Sequence, residues 1–317
     1  MPIKRKTSNT IASADYSKNM EIIRFDYKNL PPKKEGLTLA LGTFDGFHKG
    51  HQRILIETSL HARNEAGILL FSCSPSKVLR LGKTEEVLTS LEDQLSYAKK
   101  LRMDVAYIVE ATREFFSLSK DGFMDLLESL GATSLVAGAD YTFGNAGEGS
   151  VEDLKKRFKT FVVPLVKQNG KKISTRDIKA MLKNGDAKEA WENLGHPYEV
   201  KGKVVHGLQN GRKLGFPTLN IELSADYLIP KYGVYYGICY LSGVPHKAMV
   251  NVGDNPTIGV LKKANIEAYL LDYEGDAYGK SVYLSFLDYE REERKFASPQ
   301  QLKSQLEIDK EWIRKHQ

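Results

Sequence analysis

Between Met20 and Gly195 the sequence repeats one pattern, in which short apolar runs alternate with longer amphipathic segments. The amphipathic segments carry apolar residues three and four positions apart, which is the spacing of one helix face. Apolar strands joined by such helices are typical of a parallel sheet with crossover connections. The pattern therefore predicts an α/β fold. Its strands are predicted at "MEIIRFDY", "LTLAL", "GILLFS", "VAYIV", "SLVAG" and "FVVPLV".

Beyond this region the sequence changes to short runs rich in tyrosine and valine, separated by turn sequences such as "GDNP" and "YEGD". Short strands at this spacing predict an antiparallel barrel or sandwich. The final stretch, "SPQQLKSQLEIDKEWIRKH", has a Ser-Pro start and a basic last turn, which predict a helix. We therefore predict a polar N-terminal tail at residues 1–19, an α/β domain at residues 20–195, and a β domain with a C-terminal helix at residues 196–317.

The composition limits the class of protein. The chain of 317 residues has room for two domains, and its apolar and charged contents are those of a soluble globular protein. No apolar run approaches the ~18 residues of a membrane helix. The two cysteines, Cys73 and Cys239, have no metal-binding spacing, so we expect a cytoplasmic protein without disulfides. The net charge of +6 suits phosphate-bearing partners, although a well-solvated surface is the commoner explanation.

The sequence "GTFDGFHKGH" lies between a predicted strand and a predicted helix. Its glycines allow a tight turn and the close approach of a ligand. A helix N-terminus at the carboxyl end of a parallel strand is a site for anions, and His48 and His51 add two side-chain donors there. A lone histidine more often caps a helix, so it is the combination that indicates phosphate binding. We predict nucleotidyl transfer, in which positioning and charge stabilisation do most of the work.

A second candidate site follows a glycine-rich stretch in the β domain. Thr218 and Asn220 are two residues apart and point to the same side of an extended chain. A hydroxyl and an amide oxygen suit Mg²⁺ shared with ATP phosphates, although the same pair also occurs in ordinary turns. The preceding glycines, with Arg212 and Lys213 beside them, form a candidate phosphate cradle that does not have Walker A spacing and has no predicted helix after it.

Glu267 is a carboxylate within an apolar strand. In "NIEAYLLDY", alternation puts Ile266 and Ala268 on one face and Glu267 and Tyr269 on the other. Both faces are otherwise apolar. Glu267 therefore either pairs with a buried lysine or arginine, or serves as a general base for a substrate hydroxyl, which is the function that we favour.

The first site resembles the signature of nucleotidylyltransferases, and especially that of the bifunctional bacterial riboflavin kinase/FAD synthetases. "AGADYTFGNAGEGS" resembles the family's segment near the flavin phosphate and adenine sites, and "ISTRDIK" stands at its second phosphate-binding signature. The resemblance implies a Rossmann-like domain that adenylylates FMN to FAD and releases pyrophosphate, with His48 and His51 as catalytic residues. The binding residues that it implies are Gly42, Thr43, Phe44, Asp45, Asp140, Phe143, Ser174, Thr175 and Arg176.

The second half is similar to the riboflavin kinase domain of the same family, through "GRKLGFPTLN", "GVYYG", "NVGDNPTIG", "IEAYLLDYEGDAYGK" and "REERKF" in order. This resemblance implies a six-stranded antiparallel barrel with a C-terminal helix that phosphorylates riboflavin with Mg–ATP. It implies that Thr218 and Asn220 bind Mg²⁺–ATP and that Glu267 activates the riboflavin 5′-hydroxyl. The other binding residues that it implies are Gly211, Lys213, Gly215, Pro217 and, beside the flavin, Arg291.

We therefore expect a bifunctional flavin-nucleotide enzyme that acts on riboflavin, FMN and ATP. Two positions depart from the family pattern: Ser76 stands in place of a histidine, and Asp177 in place of an arginine, with Arg176 beside it. These departures favour, as an alternative, a riboflavin kinase whose first domain is degenerate. A regulator or nucleic-acid-binding protein on the same fold is an alternative from another class. The His-x-Gly-His spacing also suggests a tRNA-charging enzyme, but the resemblance of the second half to a riboflavin kinase domain argues against it.

Overall fold

The computed structural model describes residues 19–79, 86–207, 210–254 and 264–316, apart from the side chains of Asn210 and Lys213. The predicted tail lies outside this part of the chain except for its last residue, and so does the "NPTIG" end of the "NVGDNPTIG" motif. The described residues form a parallel α/β sheet, a closed antiparallel barrel and a C-terminal helix. The predicted fold class is therefore confirmed, and the choice between a barrel and a sandwich is settled as a barrel.

The first part of the chain alternates strands with helices as the apolar pattern predicts. The strands are β1 (Glu21–Phe25), β2 (Leu37–Leu41), β3 (Ala66–Phe71), β4 (Val105–Val109), β5 (Ala132–Gly138), β6 (Thr142–Phe143), β7 (Gly149–Ser150), β8 (Lys159–Val163), β9 (Lys167–Gln168) and β10 (Lys171–Lys172). The helices are α1 (Lys49–His61), α2 (Pro75–Leu79), α3 (Leu91–Lys100), α4 (Arg113–Phe116), α5 (Lys120–Leu130), α6 (Val151–Arg157), α7 (Thr175–Asn184) and α8 (Ala187–Leu194).

The sheet has a switch point beside β2, whose five residues are all buried. Its six strands are parallel and lie in the order β1-β4-β3-β2-β5-β8. From β2 the chain moves outward through β3 and β4 on one side, and it returns to place β5 on the other side. The loops after β2 and β5 therefore meet at the carboxyl edge, which is where ligands bind in open α/β sheets.

The second part of the chain forms a closed barrel with strand order β11-β12-β15-β14-β13-β16 and antiparallel neighbours. The sixth strand, β12, was not among the predicted strands, although Leu219, Ile221 and Leu223 alternate with polar residues, because it is only five residues long and follows directly on the glycine-rich stretch. The elements are β11 (Tyr198–Val205), α9 (Asn210–Leu214), β12 (Leu219–Leu223), β13 (Gly233–Leu241), β14 (Val244–Asp254), β15 (Ala264–Leu270), β16 (Ser281–Arg291) and α10 (Pro299–Lys315).

Helices α7 and α8 belong to the same hydrophobic core as the barrel interior. Ile178, Leu182 and Leu194 are buried in one cluster with barrel residues such as Tyr198 and Val250. The two halves of the chain therefore share a core, although α8 ends just before the predicted boundary and β11 begins just after it.

A short main-chain pairing also joins the two halves. Val87 forms a parallel bridge with Tyr227. The Val87 amide donates to the carbonyl of Asp226 at 2.8 Å, and the Leu228 amide donates to the carbonyl of Val87 at 2.8 Å. The hydroxyl of Tyr227 donates to the carboxylate of Asp93 on α3 at 2.5 Å. Main-chain and side-chain contacts together fix the barrel against the sheet domain.

The shared core predicts that Leu182→Ala strongly destabilises the protein. Leu182 is 1% exposed, and removing a buried leucine costs about 2–5 kcal/mol of unfolding free energy. Chemical denaturation measures the loss. Leu60→Ala on α1, where the leucine is 70% exposed, is the control and should change the free energy by less than about 0.5 kcal/mol. Equal effects of the two changes would contradict the packing.

Candidate active sites

The loop between β2 and α1 is built on two buried aromatic rings in an unusual backbone conformation. Phe44 and Phe47 have φ angles of 51° and 43°, in the left-handed region that non-glycine residues rarely adopt. Both side chains are fully buried and their ring centroids are 5.8 Å apart. Burial of the rings anchors the loop from beneath and stabilises its strained backbone, as is common at functional sites.

His48 and His51 stack at the start of α1. His48 is the N-cap, and its Nδ1 accepts a hydrogen bond from the His51 amide at 3.3 Å. The ring centroids are 3.7 Å apart. Burial lowers the pKa of His48 to about 4 and the pKa of His51 well below its usual range. Both rings are therefore neutral at pH 7, and since Nδ1 of His48 is an acceptor, its proton lies on Nε2, where it can be donated to a ligand.

A cavity of about 320 Å³ opens beside these rings at the switch point. The loop after β2, the loop after β5 and the start of α7 all contribute to it. The ammonium of Lys172 forms an ion pair with Asp140 at its edge. The structure thus brings together most of the residues predicted for the first site, since the lining includes Gly42, Thr43, His48, His51, Asp140, Ser174 and Thr175.

Four other predicted residues do not line this cavity: Asp45, which lines a larger adjoining cavity, and three that line neither cavity. Phe44 lies beneath the loop in the core. Phe143 is buried against Phe123, with ring centroids 5.2 Å apart. Arg176 lies on the exposed side of α7. The predicted contact of these three residues with substrate therefore has no support in the geometry.

Asp45 has its carboxylate turned toward the barrel side of the loop. Its Oδ1 accepts from the amides of Leu88 and Thr89 at 2.7 and 3.1 Å, and its Oδ2 lies 3.0 Å from Nζ of Lys179. The hydroxyl of Thr175 donates to the Asp45 carbonyl at 3.0 Å. Asp45 therefore ties the loop to α7 and to the segment that pairs with the barrel.

A second and larger cavity, of about 570 Å³, adjoins the first. Thr43 and Thr175 line both cavities, so the two spaces meet at these threonines. The walls of the larger space include residues 71–77, which run from the last residue of β3 to Lys77 and contain Ser76, together with Lys179 on α7 and residues 224–226 of the barrel domain. Two adjoining spaces at a switch point are suited to two substrates that react with each other.

Asp177, the departure from the family pattern, has a local structural role. Its amide donates to the hydroxyl of the N-cap Ser174 at 3.2 Å, and that hydroxyl donates to the Asp177 carboxylate at 2.7 Å. An acid in the first turn also stabilises the helix dipole. Among the described residues, the cations that line the cavities are Lys77, Lys172 and Lys179, which the sequence reasoning missed. Lys179 could have been found, because it is four residues after Thr175 on the same helix face.

On the barrel, one row of outward-facing side chains crosses five strands. Register pairs Asn220 on β12 with Glu267 on β15, and Glu267 with Asn251 on β14. Asn251 pairs with Val234 on β13, and Val234 with Arg291 on β16. Directly paired residues share a face of the sheet. Three residues predicted for the second site, Asn220, Glu267 and Arg291, therefore lie in one row.

The hydrogen bonds around Glu267 fix the direction of its carboxylate. Thr218 donates from Oγ1 to Oε2 of Glu267 at 2.9 Å, and Asn265 donates from Nδ2 to Oε1 at 2.7 Å. Among the described residues, no lysine or arginine forms an ion pair with it. The alternative of a buried ion pair thus has no support within this part of the chain, and Thr218 keeps its oxygen lone pairs available.

The glycine-rich stretch lies over the Thr218–Asn220 pair. A Cβ atom at Gly207 would lie 2.2 Å from the Asn220 amide nitrogen, and one at Gly211 would lie 2.2 Å from the Phe216 carbonyl oxygen. Only glycine allows this close approach. The stretch contains the short helix α9, so the predicted cradle is a helical turn followed by Gly215, with a φ of 85°, and the exposed Pro217. The side chain of Lys213 lies outside the described part.

Arg291 is anchored to the C-terminal helix. Its Nε and Nη2 contact the carboxylate of Asp309 at 3.1 and 2.5 Å, and Asp309 is fully buried. Gln305 donates to the same carboxylate at 2.5 Å. Its predicted place beside a flavin stays a prediction, since most of its donors are directed at α10.

Comparisons with known proteins fit this pair of sites. A family model described as FAD synthetase matches residues 30–177, and one described as riboflavin kinase matches residues 194–317. A bifunctional riboflavin kinase/FMN adenylyltransferase from Listeria monocytogenes is 38% identical over 282 residues, which cover 86% of this chain and 90% of that protein. Proteins of the same description from Bacillus subtilis and Escherichia coli K12 are 35% and 30% identical, over 86% and 92% of this chain and 90% and 96% of theirs. The chain belongs to the bifunctional riboflavin kinase/FMN adenylyltransferase family and is both a riboflavin kinase and an FMN adenylyltransferase.

A solved structure shares the whole fold. It is described as a macrolide-efflux protein from Streptococcus pneumoniae, is 30% identical, and has a TM-score of 0.86 over 94% of this chain and all of that one. The efflux description is that protein's own. In the part of this chain that the structure describes, no helix combines the length and apolar character needed to span a membrane.

The buried histidines predict a loss of stability in acid. Because the pKa of His48 falls from 6.5 to about 4 on folding, the folded state binds fewer protons than the unfolded chain. The stabilisation that this difference gives the folded state is complete above pH 6.5 and is lost as the pH falls toward 4. The loss amounts to roughly 3 kcal/mol of unfolding free energy. Unfolding free energies measured across this range should fall less in His48→Asn, which keeps an N-cap side chain, than in the wild type. His61→Asn, at the half-exposed end of the same helix, is the control, and an unchanged pH dependence in His48→Asn would contradict the prediction.

Proposed function

We propose that the barrel site phosphorylates riboflavin through Glu267, and that the switch-point site adenylylates FMN through His48 and His51. The observation that carries the first assignment is the contact between Thr218 and Glu267, in register with Asn220. The meeting of two cavities at Thr43 and Thr175 supports the second.

In the kinase reaction Glu267 accepts the proton of the riboflavin 5′-hydroxyl. The hydroxyl oxygen then bonds to the γ-phosphorus of ATP as the bond to the β-phosphate oxygen breaks, which gives FMN and ADP. Hydrogen bonds from Thr218 and Asn265 hold the carboxylate in one orientation, so that little reorganisation is needed at the moment of reaction.

The residues beside Glu267 fit Mg²⁺. The hydroxyl of Thr218 donates a hydrogen bond to Glu267, so its oxygen lone pairs are free to point toward a cation. Asn220 offers an amide oxygen beside it. Neutral oxygen ligands suit a hard cation that is shared with ATP phosphates. When bound, Mg²⁺ would offset the negative charge of those phosphates. Gly207 and Gly211 let the backbone of the glycine-rich stretch lie directly against Asn220 and the Phe216 carbonyl, which places its main-chain amides close to the pair.

In the adenylyl-transfer reaction the smaller cavity takes ATP and the larger cavity takes FMN. An oxygen of the FMN phosphate bonds to the α-phosphorus of ATP, and the bond to the bridging oxygen of the β-phosphate breaks, so that pyrophosphate leaves. His48 and His51 donate hydrogen bonds to the phosphates at the helix N-terminus, where the dipole also favours negative charge. Lys172 supplies positive charge to the smaller cavity and Lys179 to the larger one.

The division of the chain and its location complete the proposal. We place the end of the adenylyltransferase domain at residue 195 and the start of the kinase domain at residue 196, supported by the left-handed cap at Gly195 and the start of β11 at Tyr198. A cytoplasmic location is supported by two cysteines that are free thiols, Cys73 and Cys239.

Glu267→Gln should lower the rate of FMN formation by about 10²–10⁴, because glutamine keeps the size and one acceptor of the side chain but takes no proton at neutral pH. Chromatography of the flavins formed from riboflavin, ATP and Mg²⁺ measures the effect. Glu274→Gln, at an exposed glutamate in the turn after β15, is the matched control and should leave the rate unchanged. Unchanged turnover in Glu267→Gln would exclude Glu267 as the base.

His48→Ala should lower FAD formation from FMN by about 10²–10³, because a preorganised donor to the reacting phosphates is lost, while FMN formation from riboflavin continues. The same chromatography, started from FMN or from riboflavin, measures both reactions. His61→Ala on the same helix is the control. An equal loss of both reactions in His48→Ala would mean that the two sites do not act separately.

A further inference from the structure

The larger of the two cavities at the switch point is built by both domains. Most of its lining comes from the α/β domain, but Ser224, Ala225 and Asp226 follow β12 of the barrel and form part of its wall. These three residues, here called the barrel wall, come four to six positions after Asn220 of the kinase site. A part of the kinase domain therefore lies within reach of a ligand of the adenylyltransferase domain.

The barrel wall is fixed at its main chain and at the Ser224 hydroxyl, which donates to the Lys201 carbonyl at 3.0 Å. The Ser224 amide donates to the carbonyl of Lys201 at 2.9 Å, and the carbonyl of Asp226 accepts from the amide of Val87 at 2.8 Å. The next residue, Tyr227, is buried and bonded to Asp93. The carboxylate of Asp226, in contrast, is more than half exposed and faces the α/β domain across the cavity edge.

One ion pair closes this edge. Nζ of Lys77 on α2 lies 3.6 Å from Oδ2 of Asp226, with relative side-chain exposures of 53% and 56%. An exposed pair of this kind contributes little to stability. Its position is more informative than its strength, because it joins the two domains at a place where both partners line the cavity.

We propose that the Lys77–Asp226 pair and the barrel wall form one side of the flavin pocket for adenylyl transfer, so that the kinase domain helps to bind the FMN that the other domain consumes. The proposal rests on the assignment of the larger cavity to FMN. Lys77 and Asp226 are positioning residues: they hold α2 and the barrel wall at a fixed separation, and the wall contacts the flavin. The lining also includes Lys179, which is held by Asp45 at 3.0 Å and lies one helical turn after Thr175, where the two cavities meet.

The test is a set of paired substitutions in the full-length enzyme, with the steady-state kinetics of FAD formation from FMN and ATP as the readout. Lys77→Ala and Asp226→Ala should each raise KM for FMN about three- to tenfold with little change in kcat. The double variant should be no worse than either single variant. The exchanged pair, Lys77→Asp with Asp226→Lys, should restore KM to within about twofold of the wild type, which a merely structural role for either residue alone would not predict.

Three controls test whether the change in KM for FMN is specific to the Lys77–Asp226 pair and to adenylyl transfer. Lys155→Ala breaks a comparable exposed pair with Glu152 on α6 and should leave KM for FMN unchanged. Lys77→Ala should leave riboflavin phosphorylation unchanged. Salt should raise KM for FMN in the wild type more than in the double variant, because it screens the pair.

Specific outcomes would overturn the proposal. An unchanged KM for FMN in both single variants would show that the pair does not form part of the flavin pocket. A lower KM in Asp226→Ala with a higher KM in Lys77→Ala would mean that Lys77 acts alone on the anionic substrate. If the variants raise KM for ATP and not for FMN, the assignment of the larger cavity to FMN fails, and the proposal about the flavin pocket fails with it. If the wild type forms no FAD from FMN and ATP, the assignment of adenylyl transfer to the switch-point site fails instead.

Discussion

The loop of the first site depends on residues 86–89, a short stretch whose main chain pairs at Val87 with residues 226–228 of the barrel domain. On one side this stretch is bonded to the barrel through Val87. On the other side it holds the loop of the first site: Asp45 accepts from the amides of Leu88 and Thr89, and the Gly46 amide donates to the Thr89 hydroxyl at 2.9 Å. The barrel therefore takes part in positioning the loop that carries His48, and an uninterrupted path of hydrogen bonds runs from one domain to the other.

A second constraint acts on the far side of the barrel. Asp309 of α10 is fully buried, and a buried charge is tolerated only when it is paired and hydrogen-bonded. Arg291 and Gln305 meet this requirement. Burial, with Asp309 close by, raises the pKa of Glu290 above its usual value. Removing α10 would leave Arg291, the last residue of the row that contains Glu267, without its partner, so the helix is a part of the kinase site's framework.

The sequence predicted most of the architecture, because hydrophobic periodicity decides which elements form. The strands β1 to β5 and the helix α10 lie where the patterns indicated. The strand β12 was missed, although its residues alternate apolar and polar, because it is only five residues long and the barrel closure that pairs it with β11 and β15 is a tertiary effect. Periodicity is local, and it carries no information on which distant strand completes a sheet.

The sites were predictable to different degrees for the same reason. Glu267 could be identified because a carboxylate contradicts the pattern of its own strand. Asp45 lines the larger cavity, so its predicted contact with substrate stays a prediction, but the sequence does not indicate that its carboxylate also accepts from the amides of Leu88 and Thr89, more than forty residues away. The pairing of Lys77 with Asp226 joins two domains and has no local signal at all. Residues whose role depends on what packs against them need the structure.

The choice of histidine at the first site follows from the geometry of the helix start. Two cations with centres 3.7 Å apart would repel each other by about 4 kcal/mol at an effective dielectric constant of 20, and both would lose hydration on burial. Neutral imidazoles avoid this cost and still donate hydrogen bonds to phosphates. The positive charge is then supplied by Lys172 and Lys179, which are less buried and are held by Asp140 and Asp45. Because charge and hydrogen bonding are divided between two kinds of residue, the change at Asp177 to a helix-capping acid does not remove the cations that face the cavities.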